Sequence, residues 1–382
     1  MSDMNRTMQE ALRLMQSGDL RAATQALQRG LGARPEPEYA VPDPDAARTG
    51  AGCIEAEYRV VDDRHSDDLQ APGTAKRPPA EQSGATGNDF GDHRFSCDAG
   101  ALRYKLFVPA GSGAPAPPLL VMLHGCTQSP DDFARGTRMN LLAQRLGYVV
   151  AYPAQSRRNN PNRCWNWFRR HDQQRGNGEP AIIAALTRHL VKAHGLDGRR
   201  VYVAGLSAGG AMAAVLASAY PDVYSAIGVH SGLRAGAGHD LPSALAAMKQ
   251  GAGMPAAGVS SARMEPVPAI VFHGDQDTTV DPSNGAAIIA QCMGTTATAC
   301  GAEPDATRAT VERASIPGGR TYTRTIFRNA DGSVAAEQWV VHGGGHAWFG
   351  GDPAGSYTDP SGPDASTHML RFFSACARPA IN

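Results

Sequence analysis

The sequence predicts an α/β architecture, a mostly parallel central sheet covered by helices on both faces. Three observations carry this. Short strand-like and longer helix-like segments alternate from about residue 95 onward. Leu119 to Leu123 is wholly apolar, as a strand buried on both faces should be. Gly205-Leu206-Ser207-Ala208-Gly209 joins a strand-like run to a small-residue helix, the context a nucleophile elbow requires. A chain of 382 residues accommodates one large α/β domain with extensions.

Taken in order, residues 1–31 read as an amphipathic helical hairpin. Met8, Leu12, Leu14 and Met15 fall at helical spacing, Ser17-Gly18-Asp19 breaks the pattern, and Leu20, Ala23, Leu27 and Leu31 resume it. Such a unit does not bury its own apolar face, so docking on the main domain is expected. Residues 32–94 are rich in Pro and Gly with few large apolar side chains, which predicts a partly disordered linker, with one short strand at 55–61. The catalytic domain is placed at 95–382.

Within it, 102–108 is an edge strand stopped by Pro109, and 119–123 is the buried strand. Residues 133–146 form a helix ended by Gly147, followed by a strand at 148–152. A helix at 180–194 starts with Pro180 and is closed by Gly195. The nucleophile strand (201–206) and helix (208–220) follow, then strands at 226–230 and 269–273 and a helix at 286–293. Strands at 322–329 and 338–342 flank Ala330-Asp331-Gly332, a hairpin signal, and a helix at 364–377 closes the domain. A G-x-S-x-G elbow in the middle of this series makes the expected fold that of the α/β-hydrolases.

Charge excludes some function classes. Lys plus Arg and Asp plus Glu each total 36, and no basic run appears at either end, so nucleic acid is not an expected partner. No apolar run approaches a membrane span. The first 31 residues lack the continuous apolar stretch of a secretion signal, which predicts a cytoplasmic protein.

Small residues flank Ser207 where a strand-to-helix turn crowds the backbone, and the Ala208 N–H starts the helix, where the dipole favours an oxyanion. The acid should follow the serine in the chain and the histidine should come last. After strand 269–273 stand Asp275 and Asp277. Asp277 lies further from the strand, within reach of a neighbouring loop, and is the favoured acid; Asp275 suits a turn-stabilising role and remains the competitor. Gly343-Gly344-Gly345 leads to His346, the expected base. His342 reads as structural, while His124, His230 and His273 stand at strand ends on the same edge as rivals. In the loop after 119–123, Gly125 permits a sharp turn that directs the Cys126 N–H toward the serine as a second oxyanion donor. A Cys126 nucleophile is the competing reading.

These motifs carry a resemblance. Leu123-His124-Gly125-Cys126-Thr127-Gln128, Arg163-Cys164-Trp165-Asn166-Trp167-Phe168, Gly205 to Met212, the 273–280 loop and Gly345-His346-Ala347-Trp348 resemble the poly(3-hydroxybutyrate) depolymerase family of esterases. The same set is similar to feruloyl and acetyl-xylan esterases. The resemblance implies a serine esterase with a Ser207–His346–Asp277 triad, Cys126 and Ala208 amides as oxyanion hole, and hydroxyalkanoate polymer or oligomer esters as substrate. Family members that attack solid polymer are secreted and carry a separate binding domain. Neither feature is evident here, so soluble esters and short oligomers are the expected substrates. Family members are often extracellular, which leaves secretion by another route open.

The triad needs neither metal nor cofactor, and no Cys/His set has a zinc-finger spacing. Trp165 and Trp348 lie beside catalytic motifs and are assigned to substrate binding, with core packing as the alternative for the tryptophans as a group. Of seven cysteines, Cys126 with Cys164 and Cys292 with Cys300 are candidate pairs; the odd count and cytosolic-looking start make the reduced state the default, and secretion would imply both bridges.

Overall fold

The computed structural model describes residues 90–111, 116–253, 267–293 and 309–378. The expected hairpin at 1–31 and the expected linker up to residue 89 lie outside the described residues. The linker does not extend to residue 94, because strand β1 (Phe90–Cys97) pairs antiparallel with β2 (Gly100–Phe107) from Phe90 onward. Strands β3 (Leu119–Leu123), β4 (Val149–Ala154), β5 (Val201–Leu206), β6 (Ala226–His230) and β7 (Ala269–Gly274) follow. Then come β8 (Ala309–Ser315), β9 (Thr321–Arg328) and β10 (Val334–Val341).

These strands form one ten-stranded sheet in the order β1-β2-β4-β3-β5-β6-β7-β10-β9-β8. The central strands, from β4 through β10 in that order, pair in parallel, and an antiparallel pair closes each side. The α/β-hydrolase expectation is met: β5 is flanked by parallel neighbours, and every residue of β3, β5, β6 and β7 is buried. The pleat divides their side chains between two cores. Val201, Val203, Ile227, Val229 and Val271 enter one; Tyr202, Ala204, Leu206, Ile270 and Phe272 enter the other.

Helices cover both faces. The helix expected at 133–146 is two, α1 (Pro130–Thr137) and α2 (Met139–Leu146), because Arg138 takes a left-handed backbone (φ 52°) that ends the first. Its guanidinium donates to the Gly350 carbonyl at 2.8 Å, which holds that break against a distant loop. Helix α3 (Gly178–Ala193) and α4 (Ala208–Ala219) match expectation closely. Helix α5 (Leu241–Gln250) was not anticipated, although Asp240 and Ser243 form a reciprocal capping box with Pro242 in the first turn. Helices α6 (Ser283–Cys292) and α7 (Ala365–Ser374) complete the set. Asp364 caps α7 through the Thr367 N–H, 3.0 Å away. Strand β8 was likewise unforeseen: its exposed residues carry no apolar alternation. Among the described residues no helix is long and apolar enough to cross a membrane.

Candidate active site

Parallel pairing sets the carboxyl ends of β5, β7 and β10 along one edge of the sheet, and the predicted residues leave from those ends. Ser207 directly follows β5, Asp277 lies three residues beyond Gly274, and His346 five beyond Val341. Ser207 adopts φ 56°, ψ −118°, and its N–H donates to the His230 carbonyl at 2.9 Å. Positive φ at a non-glycine residue is uncommon and is a mark of functional turns. The flanking glycines are obligatory. A Cβ on Gly205 would collide with the Gly209 backbone, and one on Gly209 with the Leu123 carbonyl.

His346 Nδ1 lies 2.7 Å from Asp277 Oδ2. The carboxylate is fully buried and also accepts the N–H groups of Thr279 and Val280, both at 2.9 Å, through Oδ1. His273, at the end of β7, brings Nε2 to 3.3 Å of Asp277 Oδ2 and donates to the Val280 carbonyl at 2.9 Å. Burial alone would raise the Asp277 pKa. The hydrogen bonds from His273 and His346, the His346 charge and the Val280 N–H overcome it and hold the carboxyl well below the usual range. His273 therefore supports Asp277, the candidate acid; among the described residues its buried Nδ1 has no hydrogen-bond partner.

Asp275 bonds His342 Nδ1 at 2.9 Å and the Gly343 N–H at 2.7 Å, and its own N–H donates to Val341 at 3.1 Å. It clasps the loop carrying Asp277 to the loop carrying His346. His342 in turn meets the Thr323 hydroxyl at 2.8 Å. His230 is fully buried, stacked on Phe272 and Trp348, and accepts the Phe349 N–H at 3.0 Å through Nε2. Burial, with the charges of His273 and His346 added, pushes its pKa well down, so it is a neutral core residue.

The loop after β3 is tightly held. His124 Nδ1 donates to Gly125 O at 2.8 Å, and its Nε2 accepts the Gln155 N–H at 3.1 Å. Burial lowers its pKa to about 4, which keeps the ring neutral, and these two hydrogen bonds fix its tautomer. The N–H groups of Gly125, Thr127 and Gln128 bond Gln128 Oε1, Asn162 O and Gly125 O. Among the described residues, the Cys126 N–H between them meets no such acceptor. Cys126 forms a disulfide with Cys164, which corrects the expected reduced state and removes the thiol from consideration as nucleophile. Among the described residues Cys292 has no disulfide partner, and its candidate partner Cys300 lies outside them.

The two tryptophans assigned to substrate binding are core residues instead. Trp348 is 1% exposed; its indole N–H donates to Ser366 Oγ at 3.0 Å and its ring meets Phe133 edge-on. Trp165 is 2% exposed and donates to the His124 carbonyl at 3.1 Å. Proximity to the predicted motifs in the chain does not place these rings in the cleft, because both indoles turn inward to brace the loops that carry those motifs. Below Trp165, the buried Glu179 carboxylate accepts Asn166 N–H at 2.8 Å and Asn166 Nδ2 at 2.6 Å, tying the Cys164 loop to α3. Burial raises the Glu179 pKa against those hydrogen bonds. Glu179 and His273 were not recognisable as functional supports from their spacing alone. Among the described residues, no group of three His, Cys, Asp or Glu side chains is placed to hold a metal ion.

Residues 102–314 match the family model described as "Esterase PHB depolymerase". The chain belongs to that family. The matched span contains Ser207 and Asp277 and ends before His346. The chain is similar to poly(3-hydroxyalkanoate) depolymerase C of Paucimonas lemoignei, 32% identical over 260 residues, covering 66% of this chain and 60% of that protein. It is also similar to feruloyl esterase B of Thermothelomyces thermophilus, 31% identical over 157 residues, covering 41% and 51%. The chain thus spans between half and three fifths of the length of these relatives. Acetyl xylan esterase from Aspergillus awamori shares the fold at a TM-score of 0.56 and 20% identity, over 76% of this chain and 98% of that one.

Proposed function

We propose that this member of the PHB depolymerase esterase family is a serine esterase using Ser207, His346 and Asp277. The observation that carries the reading is the buried Asp277 carboxylate on His346 Nδ1, on the same sheet edge as a serine held at positive φ. With Nδ1–H donated to Asp277, Nε2 is the ring nitrogen left to accept a proton. His346 takes the proton of Ser207 as its Oγ attacks the ester carbonyl. The N–H groups of Ala208 and Cys126 receive the oxyanion, supported by the start of α4 and by the unengaged Cys126 amide. The alcohol departs with the proton from His346, and water, activated by the same base, releases the acid from the acyl-enzyme.

Esters of short hydroxyalkanoates, such as 3-hydroxybutyrate oligomers, are the proposed substrates, which the depolymerase relative's name supports. A feruloyl or acetyl-xylan substrate is the second reading, favoured by similarity to the esterases of those names. The Cys126–Cys164 bridge fits action in an oxidising compartment, in place of the cytoplasm expected from the N-terminal residues.

One ester panel tests the reading. With hydroxybutyrate trimer, methyl ferulate and acetylated xylan compared, kcat/KM should be highest on the trimer, with monomer and dimer as products. A higher kcat/KM on methyl ferulate or acetylated xylan replaces the substrate assignment while keeping the serine chemistry. No hydrolysis of any ester contradicts the proposal.

A further inference from the structure

Tyr357 stands out beside the catalytic edge. It lies between the short paired strands β11 (Trp348–Phe349) and β12 (Thr358–Asp359), is 47% exposed, and has φ 52°. A left-handed backbone is costly for a bulky residue, and glycine would take it without strain. Burial does not offset the cost, since the residue is close to half exposed. Its main chain pairs the two short strands: the Tyr357 carbonyl accepts the Trp348 N–H at 2.7 Å.

The surrounding segment is anchored by its neighbours. The Ser356 N–H donates to Asp132 Oδ1 at 2.9 Å, and Gln128 Nε2 donates to the Ser356 carbonyl at 3.0 Å. Gly355 packs against Gly136 so closely that a Cβ there would overlap that backbone. Gln128 is the residue whose Oε1 holds the Gly125 N–H, so the oxyanion loop and the Tyr357 segment are one braced unit.

The side chain reaches two functional elements. Its ring meets the His346 imidazole edge-on, with centroids 6.5 Å apart. Its hydroxyl lies 3.4 Å from Thr127 Oγ1, next to Cys126, and Thr127 is itself at φ 67°. An exposed aromatic ring is thus held between the proposed base and the proposed oxyanion loop.

We infer that Tyr357 forms the wall of the subsite that receives the alcohol portion of the ester. This rests on the serine-esterase reading above. His346 must hand its proton to the departing alkoxide, so the leaving alcohol passes beside the imidazole. A ring set against that imidazole therefore borders the path of the leaving alcohol. The ligand it suits is a hydroxyacyl unit with an apolar methine and methyl face, which an aromatic surface contacts well.

The test keeps the acyl group constant and changes the alcohol. Methyl 3-hydroxybutyrate and the linear 3-hydroxybutyrate dimer deliver the same acyl group and release methanol or a hydroxy acid. In Tyr357→Ala, kcat/KM on the dimer should fall about tenfold, a loss comparable with one aromatic contact, and change less than about twofold on the methyl ester. Tyr357→Phe should stay within about twofold on both. The rate of acyl-enzyme breakdown, read from the burst with p-nitrophenyl 3-hydroxybutyrate, should be unchanged, because the alcohol has left by then. Equal losses on the two esters overturn the inference, as the ring would be acting through His346. Undiminished activity on the dimer overturns it too. Fluorophosphonate labelling of Ser207 in the wild-type protein separates the two levels: its absence overturns the serine-esterase reading and this inference together, whereas labelling with no alcohol dependence overturns the Tyr357 subsite alone.

Discussion

His346 and Asp277 are joined by a 2.7 Å contact between Nδ1 and Oδ2, and the neighbouring Asp275 takes no part in it. Asp275 faces His342 and the Gly343 N–H instead. Two carboxylates two residues apart thus hold two histidines of one loop, the buried one gripping the proposed base and the partly exposed one gripping the loop's origin.

These different holds predict different losses. Asp277→Asn should lower kcat by roughly ten-thousandfold, since an amide does not stabilise the imidazolium and permits the wrong tautomer. Asp275→Asn should lower kcat less than about tenfold and cost about 1–2 kcal/mol of stability, the value of a partly exposed hydrogen-bonded clasp. Steady-state kinetics and urea denaturation of the two variants check this. Reversal of the two kinetic effects would make Asp275 the catalytic acid.

The disulfide leads to a second expectation. Cys126 and Cys164 are 38 residues apart in the chain, and the bridge joins the proposed oxyanion loop to the loop braced by Glu179. Closing a loop of that length stabilises by about 4 kcal/mol in the chain-entropy model. Cys164→Ser should therefore lower the urea midpoint and, in the fraction that remains folded, reduce kcat by about ten- to a hundredfold as the Cys126 amide loses its fixed direction. KM should change less. An unaltered kcat in a destabilised variant would separate the bridge from the oxyanion hole.

Acid should destabilise the fold earlier than carboxylate protonation requires. His124 is buried and neutral, with its pKa moved from 6.5 to about 4. The unfolded chain takes up a proton between those values that the folded chain refuses, so stability is full above pH 6.5 and falls as pH drops toward 4. The loss attributable to His124 is about 3 kcal/mol, and neutral His230 adds to it in the same direction. Asp277, whose pKa is depressed, adds a further loss only below its ordinary value of 3.8. Urea midpoints measured from pH 7.5 to 4.5 should decline, and His124→Asn, which keeps a donor for the Gly125 carbonyl, should flatten the slope. A flat wild-type profile would contradict the neutral, buried His124.

Much of this architecture was legible because local signals and burial agreed. Apolar runs such as 119–123 and 201–206 became strands of the sheet's interior, and the G-x-S-x-G box became the strained turn its glycines require. Strand β8 was not legible, since an exposed edge strand such as Ala309–Ser315 needs no apolar pattern. Helix α5 carries both a cap and helical spacing (Leu241, Ala244, Leu245 and Met248), a short signal between Gly-rich stretches, and only Ala244 and Ala247 of it are buried. At the site, Ser207, Asp277 and His346 could be ordered along the chain by the fold's connectivity. Trp348 and Trp165 could not be placed, because the direction an indole faces depends on the partner its N–H finds, here Ser366 and His124. By position alone His273 is a rival base; its contact with Asp277 is three-dimensional and has no spacing signature. Arg138 splitting one helix into two is likewise settled by a partner over two hundred residues away, Gly350.

The measurement that tests the central claim most directly is covalent labelling with a fluorophosphonate, followed by peptide mass spectrometry, on the wild-type chain and on Ser207→Ala. The account predicts one adduct, on the peptide containing Ser207, formed in step with loss of esterase activity. It predicts no adduct and a loss on the order of a millionfold in kcat for Ser207→Ala, with folding unaffected. An adduct on another residue that tracks inactivation, or substantial ester hydrolysis by Ser207→Ala, would contradict it.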